Sequence, residues 1–254
     1  MSQAPSAIPL PAVAPAASRA PARQSYEALR VFVRNPSAVF GVLLLAAILA
    51  VTIFGPMLMQ ADPFEIASAP MEPPGGEMLL GTDYLGRDVL TGMVYGGRAT
   101  LLVGVVAAVL SMAIGLTVGA LAGYYGGWVD ETLMRITEFF QVLPTLLFAM
   151  VLVTLFTPSL ATIAVAIGVV SWTGTARLAR GEFLRLKRRE YVLAERVIGA
   201  GDARIIWRVI LPNALAPLIV SATLAIGTAI LFEAGLSFPV SYTHLRAHET
   251  KANL

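Results

Sequence analysis

Runs of apolar residues divide the chain into five segments with the length and composition of membrane-crossing helices. A helix needs about 20 apolar residues to cross the hydrocarbon core of a bilayer. The five runs are residues 39–59, 101–123, 136–156, 160–176 and 214–238. The first two contain no charged residue, and the fourth is short. The pattern predicts an all-α fold, a polytopic membrane helical bundle.

Small residues and prolines add detail to these runs. Gly115, Gly119 and Gly123 recur every four residues and therefore share one helix face. Small residues let helix backbones approach closely in lipid, so packing inside the bundle is favoured over lining a solute path. The third run contains Pro144, and only residues 157–159 separate it from the fourth, which predicts an antiparallel hairpin.

Composition supports a membrane protein and excludes several other classes. Of the 254 residues, 57% are hydrophobic and 13% are charged, against about 45–50% and about 25% in soluble domains. A net charge of only +2 gives no strongly basic surface for nucleic acid. The absence of cysteine excludes disulfides, thiolate metal sites and cysteine nucleophiles.

The segments outside the runs complete the domain organisation. Residues 1–24 hold five prolines and eight alanines, which predicts a disordered tail. Residues 25–36 predict an interfacial helix that Ser25 caps and Pro36 ends. Residues 37–238 form the transmembrane domain, and residues 239–254 form a polar tail of different composition.

Candidate chemistry in the chain is sparse. His244 and His248 share a helix face but have no third ligand nearby, so no metal site is expected. Glu138 and Glu233 lie at or near membrane depth, where an ionisable residue is costly and is often a proton or cation site. Glu138 is three residues beyond Arg135, and Glu233 is near the end of its run, so an interfacial position is the favoured alternative.

The loop between the fourth and fifth runs has a pattern of its own. Residues 188–198 contain no Gly or Pro and predict a helix, which residues 199–201 interrupt. Asp202 is then expected to cap a second helix through Arg208, and residues 211–213 to turn the chain into the fifth run. Such a helix–turn–helix is either a docking element or a basic loop that rests on anionic lipid.

The same loop carries a family resemblance. Its residues match the spacing E-A-A-x3-G-x9-I-x-L-P of binding-protein-dependent ABC transporter permeases, with Leu193, Glu195 and Val209 departing from the pattern. The resemblance implies that the loop contacts a cytoplasmic ATPase subunit. The coupling residues it implies are Leu193, Ala194, Glu195, Arg196, Gly199, Leu211 and Pro212. Glu195 can alternatively pair with a neighbouring arginine.

A second block resembles the C-type subunit of dipeptide, oligopeptide and nickel permeases. Its signature residues are Gly81, Thr82, Asp83, Gly86, Arg87 and Asp88. The resemblance implies a six-span, non-enzymatic subunit of the bacterial cytoplasmic (inner) membrane, without a cofactor of its own. The implied partners are a homologous permease subunit, two ATPase subunits that bind ATP and Mg²⁺, and an extracytoplasmic solute-binding protein. An ion-coupled secondary transporter that uses Glu138 or Glu233 is the alternative, and a membrane scaffold is a further one.

The tail departs from this family. After Phe238 the family continues to a sixth span, whereas residues 240–250 resemble one reading frame of a transposase sequencing adapter. We expect the chain from residue 239 to be non-native and the permease to be truncated after its fifth span. A natural short variant is the alternative.

The distribution of Lys and Arg predicts the topology. With a cytoplasmic N-terminus, fourteen such residues in the N-terminal segment and loops lie inside and two outside, as membrane insertion favours. In this cysteine-free chain, a cysteine at Glu77 should react with an impermeant thiol reagent on intact cells, and one at Lys187 should not. The reverse labelling pattern would invert the topology.

Overall fold

A computed structural model describes residues 30–59, 61–76, 78–157 and 159–252, with side chains described through Leu236. Most of these residues are helical, residues 61–88 being the longest non-helical stretch, and the described chain forms no β-strand; two isolated bridges join Gly75 to Met78 and Thr82 to Asp88. The all-α class is therefore confirmed. The chain divides into two compact units, Met1–Leu58 and Met59–Leu254.

The first unit contains one long apolar helix, α1, Pro36–Met59. Asn35 accepts hydrogen bonds at its Oδ1 from the N–H groups of Ser37 (3.1 Å) and Ala38 (3.4 Å), which satisfies the start of the helix. Its sequence is almost entirely apolar, as a membrane-crossing helix requires. Residues 30–33 are helical, and residues 1–29 lie outside the described chain. The interfacial helix over residues 25–36 and the disordered tail stay predictions.

The second unit contains the remaining elements. They are α2 (Val89–Tyr125), α3 (Gly127–Val142), α4 (Thr145–Leu155), α5 (Leu160–Leu186), α6 (Glu190–Val197), α7 (Asp202–Arg204), a π-helix (Ile205–Ile210) and α8 (Leu211–Ala252). In the described chain, four helices are long and apolar enough to cross a membrane, or five if α3 and α4 together count as one.

The third apolar run, which contains Pro144, is not one continuous helix. It is divided between α3 and α4, which are bent by 86° with Pro144 at the break. Proline has no N–H to donate and forces the preceding residue out of the helical region, as the extended Leu143 shows (φ −69°, ψ 129°). The bent pair is either one broken span or a re-entrant segment, so a single span over residues 136–156 stays a prediction.

The expected turn at residues 211–213 is also absent. The chain remains helical from Asp202 through the π-helix into α8. The N–H of Leu211 donates to the carbonyl of Ile206, five residues back, and this widened turn accommodates Pro212 directly after it. The side-chain amide of Asn213 donates to the carbonyl of Val209 at 2.7 Å, which satisfies a nearby backbone acceptor.

Helices α2 and α5 make the most extensive contact between two elements of the second unit, with their backbones close together. A Cβ atom added to Gly115, Gly119 or Gly123 would lie 2.6, 2.2 or 2.7 Å from a backbone oxygen of α5. The structure therefore places the glycine face of α2 directly against α5. No side chain larger than hydrogen fits there without separating the two helices.

Two groups of buried side chains flank this contact. One joins the ends of α2 and α5 to α6 and the π-helix, and it includes Phe183, Val192, Ile205 and Ile210. The other joins α2, α4, α5 and α8 through residues such as Val103, Ala149, Ile167, Ala229 and Leu236. The loop after α5 is thus part of the packed core.

Adding a methyl group to the glycine face should separate α2 from α5. We expect Gly119→Ala to destabilise the protein by roughly 1–3 kcal/mol, because the new Cβ would overlap the carbonyl of Ala176. Gly92→Ala, on the same helix, is the control because it has open space around it. The thermal unfolding midpoint in detergent measures both, and equal midpoints would contradict the packing role.

Candidate functional site

Two glycines of the signature block fold the loop before α2. Gly81 (φ +74°) and Gly86 (φ +76°) both lie in the left-handed region. An added Cβ would lie 2.3 Å from the carbonyl oxygen of Glu72 in one case and 2.2 Å from that of Ser68 in the other. Both the backbone angle and the lack of space therefore require glycine at these positions.

Thr82 and Asp83 satisfy backbone groups of the same loop. The hydroxyl of Thr82 donates to the carbonyl of Ala69 (2.6 Å) and accepts from the N–H of Glu72 (2.9 Å). The carboxylate of Asp83 accepts from the N–H groups of Leu85 (2.7 Å) and Arg87 (2.9 Å). These side chains hydrogen-bond backbone groups that have no partner in a helix or sheet, and in this way they hold the loop in its folded form.

Asp88 connects this loop to α2. Its carboxylate caps the helix by accepting from the N–H groups of Thr91 (3.0 Å) and Leu90 (3.3 Å). Burial raises the pKa of Asp88, but the hydrogen bonds from Thr91 and Leu90 outweigh burial and hold the pKa below its ordinary value. The guanidinium of Arg87 lies over the ring of Phe64, 5.5 Å from its centroid. In this structure the signature residues thus build the loop and start a span.

At the other end of the spans, α6 forms a small projection. Val192 is fully buried beneath the helix, whereas Val197 and Ile198 at its tip are 87% and 74% exposed. The helix ends at Gly199 (φ +85°), and the next N–H, that of Ala200, donates to the carbonyl of Glu195. The break predicted at Gly199 is confirmed, and the helix itself is shorter than the predicted residues 188–198.

The remaining residues assigned to this loop lie on both sides of the projection. Leu193 and Ala194 are exposed on α6, while Leu211 and Pro212 begin α8, with Leu211 half-buried and Pro212 exposed. The four residues therefore do not form a single face; only the α6 members lie on the projection.

Contacts with neighbouring elements fix the position of α6. Glu195 pairs with Arg204 at 3.7 Å, and the guanidinium of Arg196 lies 5.4 Å from the ring centroid of Tyr124. The hydroxyl of Tyr124 donates to the carboxylate of Asp202 at 2.6 Å. Asp202 was expected to cap the second helix, but its side chain makes no cap hydrogen bond and Gly201 is the N-cap residue. The cap prediction is wrong because Tyr124 provides a donor from a distant part of the chain.

An ion pair that sequence reasoning missed joins α3 to α5. The guanidinium of Arg180 donates two parallel hydrogen bonds to the carboxylate of Asp130, one of them 2.6 Å long. One turn away, Arg177 donates to the side-chain oxygen of Gln141 at 3.0 Å. Asp130 and Arg180 are 50 residues apart, so no local pattern indicates their pairing.

Comparison with known proteins identifies the family. Residues 115–248 match the family described as binding-protein-dependent transport system inner membrane component. Residues 24–74 match the N-terminal TM domain of oligopeptide transport permease C. The dipeptide transport system permease protein DppC of Bacillus subtilis is 40% identical over 84% of this chain and 67% of its own length. The chain belongs to the binding-protein-dependent permease family.

Two further relatives support this family assignment. The oligopeptide transport system permease protein OppC of Bacillus subtilis is 36% identical over 84% of this chain and 70% of its own. The protein named DppC in Haemophilus influenzae is 39% identical over 82% of this chain and 72% of its own. The protein is thus a multi-pass membrane permease component and not an enzyme, as predicted. The adapter origin of residues 239–254 stays a prediction.

The two acidic residues considered for ion coupling differ in environment. Glu138 lies 3.5 Å from Arg135 in an exposed ion pair on α3 of the permease. Glu233 is half-buried and accepts a hydrogen bond from the hydroxyl of Thr100 at 3.2 Å, which joins α8 to α2. In the part of the chain that the structure describes, no three His, Cys, Asp or Glu residues are grouped to hold a metal. The side chains of His244 and His248 lie outside that part.

The cap at Asp88 should make permease stability depend on pH. Because its folded pKa is lowered, ionised Asp88 stabilises the fold above its unfolded pKa of about 3.8 and loses this effect as the pH falls through the folded value. We expect Asp88→Asn to cost about 0.5 kcal/mol at pH 7 and nothing at the lowest pH.

Unfolding midpoints between pH 7 and pH 2 test this. Glu65→Gln, at an exposed carboxylate of the same loop, is the control and should follow the wild type throughout. A constant gap between wild type and Asp88→Asn across the range would show that the charge of Asp88 has no part in the cap.

Proposed function

We propose that this chain is the permease subunit of an ATP-driven importer of dipeptides or oligopeptides. The observation that carries the proposal is its similarity to relatives named as dipeptide and oligopeptide permeases, over most of its length. Because the signature block also resembles nickel permeases, we include nickel and related small solutes among the proposed substrates. The subunit would lie in the bacterial cytoplasmic membrane with its N-terminus inside, as the distribution of Lys and Arg favours.

The proposed assembly has four kinds of subunit. A homologous permease pairs with this chain, two cytoplasmic ATPase subunits bind ATP and Mg²⁺, and an extracytoplasmic protein delivers the solute. The family assignment supports a membrane-embedded complex with other subunits. This chain contributes the membrane path and the contact with an ATPase subunit.

The projection at α6 is the proposed contact with the ATPase. Its tip exposes Val197 and Ile198, two apolar side chains next to Gly199, while Val192 at its base is buried. An exposed apolar tip on a firmly packed base suits insertion into a groove of a partner. Because Val192 packs in the same cluster as Phe183 of α5 and Ile210, displacement of the tip would move the ends of the spans.

The ion-coupled alternative has less support. Glu138 is exposed and paired with Arg135, which is typical of a residue at the membrane surface. Glu233 bonds to Thr100, and this contact joins two helices whether or not protons move. Uptake that vanadate abolishes, through inhibition of ATP hydrolysis, separates the importer from an ion-coupled transporter.

Substitution of Gly199 tests the coupling role. We expect Gly199→Val to leave membrane insertion intact but to reduce ATPase co-purification and peptide uptake at least ten-fold. The physical reason is that a β-branched residue adopts the φ of +85° only with strain, of order 1–3 kcal/mol. Membrane fractionation, co-purification and uptake are measured on the assembled transporter.

Gly201→Ala provides the matched control. Gly201 lies two residues further along, has an ordinary φ of −72° and has open space around it. This variant should retain both ATPase binding and uptake. If Gly199→Val also retains both at the wild-type level, the loop does not couple the ATPase to transport.

A further inference from the structure

An open cavity of about 560 Å³ with several charged side chains in its lining lies beside α6, next to the ends of α2 and α5. Tyr124 and Tyr125 are the last residues of α2, and Lys187 and Arg188 directly follow α5. Arg196 of α6 and Asp202 of α7 complete its polar lining. Small-molecule sites commonly have volumes of about 300–1,000 Å³, so the cavity has room for more than solvent.

The lining of this cavity is predominantly positive. Lys187, Arg188 and Arg196 contribute three cationic side chains against one carboxylate, that of Asp202. The Asp202 carboxylate accepts a hydrogen bond from the hydroxyl of Tyr124, which is a neutral group and not one of the three cations. The cavity therefore has positive charge that its own acidic group does not balance.

The orientation of two cations is fixed by Tyr124. The Nζ of Lys187 donates to its backbone carbonyl at 3.3 Å, and the guanidinium of Arg196 lies over its ring. Arg188 is exposed at the rim. These contacts hold two positive groups in place before any ligand arrives, which reduces the entropic cost of binding an anion.

The charges in this region also repel one another. Burial, followed by the nearby cation Arg188, lowers the pKa of Lys187, with further contributions from Arg196 and Arg180. Asp130, which is hydrogen-bonded to Arg180, partly opposes this effect. A bound anion would relieve the repulsion and favour the charged form of Lys187.

We propose that this cavity binds a phosphate group through Lys187, Arg188 and Arg196. Lysine and arginine donate charge-assisted hydrogen bonds to phosphate oxygens, which supply several acceptors at once. The cavity lies beside the end of α2, which follows directly on the apolar run 101–123, so an anionic phospholipid headgroup at the membrane surface is the source of phosphate that we propose. Free phosphate is the other source of the same chemistry. The proposal does not depend on the transported solute or on the ATPase.

The test measures lipid retention by the purified full chain. Native mass spectrometry in detergent compares phosphatidylglycerol with phosphatidylcholine for the wild type, Arg188→Gln, Lys187→Gln and Arg208→Gln. Arg208 is the matched control, an exposed arginine of the π-helix outside the cavity lining. We expect the first two variants to retain phosphatidylglycerol about five-fold more weakly and the control to resemble the wild type.

Inorganic phosphate separates the two sources. If millimolar phosphate leaves phosphatidylglycerol bound, the lipid headgroup is the ligand. If phosphate displaces the lipid and raises the unfolding midpoints of the wild type and Arg208→Gln but not that of Arg188→Gln, free phosphate suffices. Arg188→Gln is the deciding variant because this exposed side chain can be changed without loss of core packing. Equal retention of phosphatidylglycerol by Arg188→Gln and Arg208→Gln, together with no effect of phosphate, would overturn the proposal.

Discussion

The contact between α2 and α5 is the constraint on which the second unit depends. In lipid, apolar side chains gain little by leaving one apolar surface for another, so close backbone packing must hold helices together. Gly115, Gly119 and Gly123 provide it by letting backbone oxygens of α5 approach the α-carbons of α2. Because the contact runs to the last turns of both helices, it also places Tyr124 beside Phe183.

The ends of α2 and α5 therefore form a platform on which α6 packs. The side chains of Val192, Ile205 and Ile210 are buried against the ends of the two spans. Tyr124 adds a polar contact to Asp202, and Arg196 lies over its ring. The basic loop is therefore held by apolar burial as well as by charge, and it differs from a simple connector resting on lipid. Its tip consists of Val197 and Ile198, whose side chains are mostly exposed.

Local pattern predicted the spans and the break at Gly199 because each depends on a short stretch of sequence. It did not predict the opposite outcomes at two prolines. Pro144 separates two helices at 86°, whereas Pro212 lies in a continuous helix, because only the second follows a π-helical turn that accommodates it. The role of Asp202 was also hidden, since its partner is Tyr124, 78 residues earlier. Hydrogen-bond register and distant partners decide these features, and neither can be read from a local pattern.

A single helix connects the two regions that carry the family signatures. Asp88 caps the start of α2 and ties it to the folded loop, while Tyr124, near its other end, contacts the α6 platform. At 37 residues and a rise of about 1.5 Å per residue, α2 is about 55 Å long. No proline lies within it, so it has no built-in hinge of that kind. Because α2 is continuous between these two contacts, a displacement of the platform would be carried along one helix to the loop at its other end. Such a route would need no chain of side-chain rearrangements through the bundle.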